Sequence, residues 1–387
     1  MLNFPVARAD PASAVLSTLA IFAVGFVARP FGGFLFGWIG DRVGRKTSMT
    51  LAVGLASLGS LMIGIAPTFA SIGAWASLML LVARLIQGLA HGGELPSSQT
   101  YLSEMAPKEH RGFWATLIYT SGTVGILFGT LLGAVLNMTL TAEAMNAWGW
   151  RIPFLLGAAM GLYALIMRSR LHETDAFEGE SLAEKRAPLW PQIVRHRKQA
   201  LQVIGLTVGL TVIYYVWGVV APSYATTALK IDRGEALWAA VIANIVFIAA
   251  LPFWGKLSDR IGRKKVLWSG AIGSAAMHFP MTWLLKDSAW QLAVGMSVML
   301  IFIAASAAIV PAVYAELFPT SIRTVGVGVP YSICVAVFGG TAPYLQQWLG
   351  TTLHLPNLFN VYAVVLLAVS AAFVFTLPET KGKDLAH

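Results

Sequence analysis

Charge is what this chain most lacks. Asp, Glu, Lys and Arg make up 12% of its 387 residues, whereas a soluble domain carries about a quarter. So few charges cannot hydrate the surface of soluble domains of this length. Acidic residues are the scarcer kind, 18 against 27 basic ones. Cysteine occurs once, as Cys334 in an apolar stretch, which excludes an intrachain disulfide and any cysteine-based metal cluster. No phosphate loop, nucleophile triad or metal-spaced histidine set is found either, so neither an enzyme nor a cofactor or metal site is expected. What is present is apolar: 57% hydrophobic residues, with 37 Gly and 13 Trp. The class is an all-α polytopic membrane protein.

About 20 apolar residues cover the hydrocarbon core as a helix. That criterion gives spans near 14–36, 48–66, 74–102, 113–136, 149–168, 200–221, 236–256, 266–285, 290–314, 325–348 and 358–377, eleven in all. The third is too long for the bilayer and must tilt or project. The loops 38–47, 103–112, 169–199, 257–265, 315–324 and the tail hold 18 Lys/Arg, while the alternate set holds four: Arg8, Lys230, Arg233 and Lys286. By the positive-inside rule the first set is cytoplasmic, which places the C-terminus inside and residues 1–13 outside. The basic excess is therefore a topology signal, and no nucleic-acid partner is implied.

An internal repeat sets the architecture. Gly37-Trp-Ile-Gly-Asp41-Arg42-Val-Gly44-Arg45-Lys46 returns as Gly255-Lys-Leu-Ser-Asp259-Arg260-Ile-Gly262-Arg263-Lys264, identical at six of ten positions. Glu104-x-x-Pro107-x-x-x-Arg111 returns as Glu316-x-x-Pro319-x-x-x-Arg323, and Glu173-Thr174 as Glu379-Thr380. Two homologous halves follow: 1–170 with five helices, a cytoplasmic linker at 171–199, 200–377 with six helices, and a tail at 378–387. The second half has two spans before its Asp-Arg element and the first has one. The repeat thus demands twelve helices, and the equivalent of a first helix is expected to be missing, through truncation or a shortened reading frame.

These residues resemble the major facilitator superfamily, whose halves each hold six helices and whose signature is the Gly-x-x-x-Asp-Arg-x-Gly-Arg-Lys loop. More narrowly, the chain is similar to the metabolite:proton symporter family. The residues that carry this are Ala28-Arg29-Pro30-Phe31-Gly32-Gly33, Arg84-Leu-Ile-Gln87-Gly88 with Gly92-Gly93-Glu94, and Trp148-Gly149-Trp150-Arg151-Ile-Pro153-Phe154. The resemblance implies the major facilitator fold with 11 of the expected 12 helices. It also implies a multi-pass protein of the plasma (bacterial inner) membrane in which one copy suffices, carrying a carboxylate or zwitterionic metabolite.

Glu94 is the one acidic residue well inside a span, and intramembrane charges normally face a polar pathway. At 100° per residue Arg84, Gln87, His91 and Glu94 share one face of their helix, with Ser98 beside them. Arg84 is a fork suited to a carboxylate, Gln87 can orient it, and Glu94 can exchange a proton. His91, three residues before Glu94, is its nearer partner. Arg29 has a structural or gating role. Pro96 and Gly92-Gly93 allow local distortion of the helix. Arg151 braces a helix end, His278 reads as a satisfied interhelical histidine, and Tyr214, Tyr215 and Trp217 are candidates for an aromatic on the pathway. Gly125, Gly129 and Gly133 form a small-residue stripe for close helix contact.

Asp41, Arg42, Arg45, Glu104 and Arg111, repeated as Asp259, Arg260, Arg263, Glu316 and Arg323, form a cytoplasmic gate in this reading. The resemblance sets each motif Asp at a helix N-terminus of the opposite half, where the helix dipole favours a carboxylate. The expected function is proton-coupled uptake of a small organic acid by alternating access. The alternative is a transport-inactive membrane protein, either a decayed product or a ligand sensor.

Overall fold

The computed structural model describes residues 24–179 and 189–385. The start of the first span, Arg8, and residues 180–188 of the linker lie outside the described residues. Long helices dominate the rest: α1 Arg29–Arg42, α2 Arg45–Gly64, α3 Ala74–Met105, α4 Arg111–Thr139, α5 Ile152–Ser169, α6 Arg197–Tyr214, α7 Arg233–Ile261, α8 Arg263–Leu284, α9 Ala289–Leu317, α10 Arg323–Cys334 and α11 Pro356–Thr376. Beyond Tyr214, α6 continues through a wide π-helical turn, Tyr215–Val220, into Ala221–Ala228. After Cys334, α10 does the same through Val335–Gly339. Nine helices among the described residues are long and apolar enough to cross a membrane. The two outside that number are α1, with 14 residues, and α8, whose first turn is Arg263-Lys264-Lys265.

Local chemistry sets the helix ends. Asp232 accepts from the N–H groups of Gly234 and Glu235 to start α7, and Ser288 with Gln291 forms a capping box at α9. The α1–α2 and α7–α8 turns pass through Gly44 (φ 134°) and Gly262 (φ 100°), left-handed backbone that favours glycine. A Cβ at Gly262 would also sit 2.6 Å from a Glu379 carboxylate oxygen. α3 has 32 residues, roughly 48 Å, so it projects beyond the hydrocarbon. Its helix continues through Pro96. Proline removes the donor for the Gly92 carbonyl, and the Ser332 hydroxyl of α10 supplies one at 3.1 Å.

α1 to α5 form one half and α6 to α11 the other. Two equivalent pairs join them: α1 packs on α10, and α4 on α7. Glycine permits both approaches, since a Cβ at Gly37 would meet Val325 at 2.8 Å and one at Gly255 would meet the Gly112 carbonyl at 2.8 Å. The core is densest in the second half, where α9 is buried from Ile303 to Leu317.

The small-residue stripe on α4 is a correction. A Cβ at Gly125, Gly129 or Gly133 would meet nothing within 4 Å, so these glycines make no close helix contact in the described residues. Lipid-facing and protein-facing surfaces are both apolar, and spacing alone does not tell them apart.

Candidate transport site and gate

The first turn of α1 carries Arg29 to the boundary between the halves. Arg29 Nη1 donates to the Tyr215 hydroxyl, in the π turn after α6, at 3.0 Å. The guanidinium lies 3.7 Å from the centroid of the Phe26 ring, and Phe26 stands edge-on to Tyr215 at 5.4 Å. Among the described residues, Arg29 Nε is buried and has no acceptor, and no carboxylate lies within ion-pair distance of Arg29. Arg29 precedes Asp41 by twelve residues, roughly 18 Å along the helix, so it is set deep in the hydrocarbon layer. The second π turn arrives at the same point: a Cβ at Gly339 would lie 2.8 Å from the Tyr215 ring and one at Gly340 2.9 Å from Phe26. Tyrosines extend the site. Tyr214 packs edge-on against Tyr215 and Tyr119, and Tyr331 packs against Tyr314 with ring centroids 6.3 Å apart. The sequence reading missed Tyr119 and Tyr331. Their signal was a hydroxyl within an apolar run, which spacing does not separate from packing.

The polar face expected on α3 splits in two. Gln87 turns to α2, where its amide donates to Ser60 at 3.1 Å, while Arg84 approaches the Gln87 carbonyl oxygen at 3.4 Å. Glu94 is paired with Arg168 of α5 at 2.9 Å, and Arg168 also donates to the Met49 carbonyl. The partner expected from spacing, His91, is replaced by a cation 74 residues away. His91 instead flanks the α1–α3 crossing, is exposed, and feels the charge of Arg29. Arg151 braces two carbonyls, those of Ala147 and Ala66. His278 is satisfied on both nitrogens: the Trp217 indole donates to Nδ1, so Nε2 donates to Asn360. Cys334 is buried. Among the described residues no group of His, Cys, Asp and Glu could hold a metal ion.

The repeated motifs converge at the basic end of the bundle with two-fold regularity. Asp41 accepts from the Thr324 and Val325 N–H groups at the start of α10, both at 2.9 Å. Asp259 accepts from Gly112 and Phe113 at the start of α4, at 2.8 and 2.9 Å. Each Asp therefore caps a helix of the other half, where the dipole favours it. Glu104 receives Arg45 at 3.3 Å and, across the halves, Arg323 at 2.5 Å. Glu316 receives Arg263 and, across the halves, Arg111, both at 3.2 Å. Thr174 and Thr380 each donate to these glutamates at 2.5 Å. Arg42 is half-buried, and Arg260 is exposed, its carbonyl accepting from Lys381.

Glu173 and Glu379 complete the symmetry by accepting from the first N–H groups of α2 and α8. Their carboxyls differ. Burial pushes Glu173 above the usual range despite its backbone donors. At Glu379, burial acts the same way but is outweighed by the Arg263, Lys381 and Lys264 N–H groups and the Arg263 charge, which hold it below that range.

Two pseudo-symmetric helical halves that meet at a buried cation and are latched at one end by reciprocal ion pairs define a membrane transporter of the major facilitator fold. A family model described as sugar (and other) transporter matches residues 2–187 and 178–387, and the chain belongs to that family. The alpha-ketoglutarate permease of Escherichia coli (strain K12) is 36% identical over 375 residues, covering 96% of this chain and 85% of the permease. The shikimate transporter of the same strain is 32% identical, covering 93% of this chain and 83% of the transporter. Among solved structures, the proton:xylose symporter XylE bound to 6-bromo-6-deoxy-D-glucose superposes with a TM-score of 0.80 at 19% identity, covering 98% of this chain and 90% of the symporter. The chain is a multi-pass membrane transporter and not an enzyme.

Proposed function

We propose that this chain takes up a small organic acid together with protons, by rocking its two halves around Arg29. The observation that carries this reading is the Arg29 guanidinium between the halves, held by the Tyr215 hydroxyl and without a carboxylate partner among the described residues. A buried cation without a counter-ion is costly, and a substrate carboxylate would supply the missing charge through paired N–H···O bonds. Tyr215 holds one guanidinium nitrogen in the meantime, so an arriving carboxylate exchanges with its hydroxyl.

His91 is the titratable group placed to take the proton. It stands at the α1–α3 crossing beside Arg29, where a Cβ on the next residue, Gly92, would lie 2.1 Å from the Arg29 carbonyl oxygen, whereas Glu94 is engaged with Arg168. Neutralising Arg29 with a carboxylate favours a second positive charge beside it, which ties proton uptake to substrate binding. The basic end is the cytoplasmic side in this reading, and the chain lies in the bacterial inner membrane with its C-terminus inside. The latches at Asp41 and Asp259 then hold the cytoplasmic gate shut while the site awaits substrate from outside.

The test is uptake of labelled alpha-ketoglutarate, shikimate and a panel of other carboxylates into proteoliposomes with an imposed proton gradient. Gradient-dependent accumulation of at least one acid is expected. Failure of every acid in the panel to enter would overturn the reading.

A further inference from the structure

The chain does not stop at the membrane edge after α11. Residues 377–385 run back across the gate, and their main chain takes part in it. The Lys383 carbonyl accepts from Arg111 Nη1 at 2.8 Å, and the Leu385 carbonyl accepts from Arg323 Nη2 at 2.9 Å. Arg111 and Arg323 are the repeat-related arginines of opposite halves. One short extended segment therefore offers alternate carbonyls to both members of the pair.

Further bonds anchor the segment to the second half. Glu379 caps α8, Thr380 donates to Glu316, and Lys381 Nζ donates to the Arg260 carbonyl at 2.8 Å. Lys383 Nζ donates to the Glu316 carbonyl near the C-terminal end of α9 at 2.6 Å, where a cation suits the dipole. The Leu385 side chain is buried, and its carbonyl also accepts from the Thr320 hydroxyl at 3.0 Å. The Lys383–Arg111 bond is a point at which the tail crosses to the first half. Parting of the halves at this end must break it, and it leaves Arg111 short of an acceptor.

The first half's own Glu-Thr element crosses by packing, its short helix lying against Thr320–Ile322 of the second half. There the chain after Thr174 turns into the short helix Asp175–Glu178, and Phe177 lies under the Arg45 guanidinium at 5.0 Å. In the tail the crossing is made instead by a main-chain carbonyl, that of Lys383.

We propose that residues 381–385 are a strap that holds the gate closed by tying Arg111 of the first half to the second half, so that any factor that draws the tail away favours opening at this end. The inference rests on hydrogen bonds at the gate and does not depend on the substrate or on the role of Arg29.

The test needs no substrate. The Ser103 hydroxyl on α3 is buried and donates across the halves to the Pro311 carbonyl at 3.4 Å, so a thiol there reports parting of the gate. In the full chain with Cys334→Ser and Ser103→Cys, reconstituted in vesicles, the rate of alkylation by a membrane-impermeant maleimide is measured from the gate side. Three proteins are compared: the intact tail, a chain ending at Thr380, and Lys383→Met. The shortened chain is expected to label about tenfold faster, the effect of losing one hydrogen bond to a charged group. Lys383→Met, which keeps the carbonyl but loses its anchor on α9, is expected to fall between. Equal labelling of all three, or slower labelling of the shortened chain, would overturn the proposal. Lys383→Met keeps the test decisive should the shortened chain fail to fold.

Discussion

Arg29 and Tyr215 lie 186 residues apart in the chain and join its two halves by a 3.0 Å hydrogen bond from Nη1 to the phenolic oxygen. Among the described residues no carboxylate is within ion-pair distance of that guanidinium, so a cation deep in the membrane is held by a neutral hydroxyl and an aromatic face. Arg29→Lys keeps the charge and loses the fork. It is expected to lower kcat/KM for the transported acid by at least about tenfold, and Arg29→Gln by more. Tyr215→Phe removes the competing hydroxyl and is expected to lower KM. Initial uptake rates in proteoliposomes measure all three.

His91 and Glu94 make opposite predictions. His91→Gln is expected to abolish the dependence of uptake on an imposed proton gradient while leaving exchange of acid across the membrane intact. Glu94→Gln is expected to retain gradient dependence, because its carboxylate is occupied by Arg168. The pair is partly exposed, so a double-mutant cycle with Arg168→Gln should give a coupling of no more than about 1 kcal/mol in thermal unfolding.

The two latches should weaken equally. Asp41→Asn and Asp259→Asn each replace a carboxylate that accepts two backbone N–H groups with an amide that has one acceptor oxygen. Each is expected to cost the closed gate about 1.5–3 kcal/mol. Spin labels at the exposed positions Lys108 and Lys265 should then show a longer distance component, of similar population in both variants.

Acid should act on the two halves at different pH. Glu379 has its carboxyl held low, so its contribution is present above the ordinary glutamate value and is lost as pH falls through the lower folded value. Glu173 has its carboxyl raised. Between the ordinary value and that raised value its protonated form is the favoured one, so its contribution grows as pH falls through that window. Melting temperatures at pH 7 are expected to drop for Glu379→Gln and to hold or rise for Glu173→Gln.

Glycine substitution separates packed from open faces. A Cβ at Gly33 would lie 2.6 Å from the Gly328 carbonyl oxygen, where one at Gly129 would meet nothing within 4 Å. Gly33→Ala should destabilise by about 1–3 kcal/mol, and Gly129→Ala should stay within about 0.5 kcal/mol in the same melting assay.

Sequence alone determined the class, the spans, the basic end and the repeated charged motifs that converge there. Scarcity of charge and runs of about 20 apolar residues reflect the bilayer itself. The gate was legible because its parts sit in short local motifs that occur twice, so Asp41 announced Asp259 and Glu104 announced Glu316. Tertiary structure decided the partners inside the membrane. Helical periodicity placed Arg84, Gln87, His91 and Glu94 on one face, but that face turned out to meet α2 and α5 at Gln87 and Glu94 and the α1 crossing at His91. Arg29 read as a structural or gating residue, and its partner Tyr215 in the π turn after α6 came only from the fold. The stripe at Gly125, Gly129 and Gly133 read as a contact and is open. The reason is common to all three cases. Periodicity fixes the direction in which a side chain points, while its neighbour comes from a helix tens to hundreds of residues away, and lipid and protein present the same apolar surface to it.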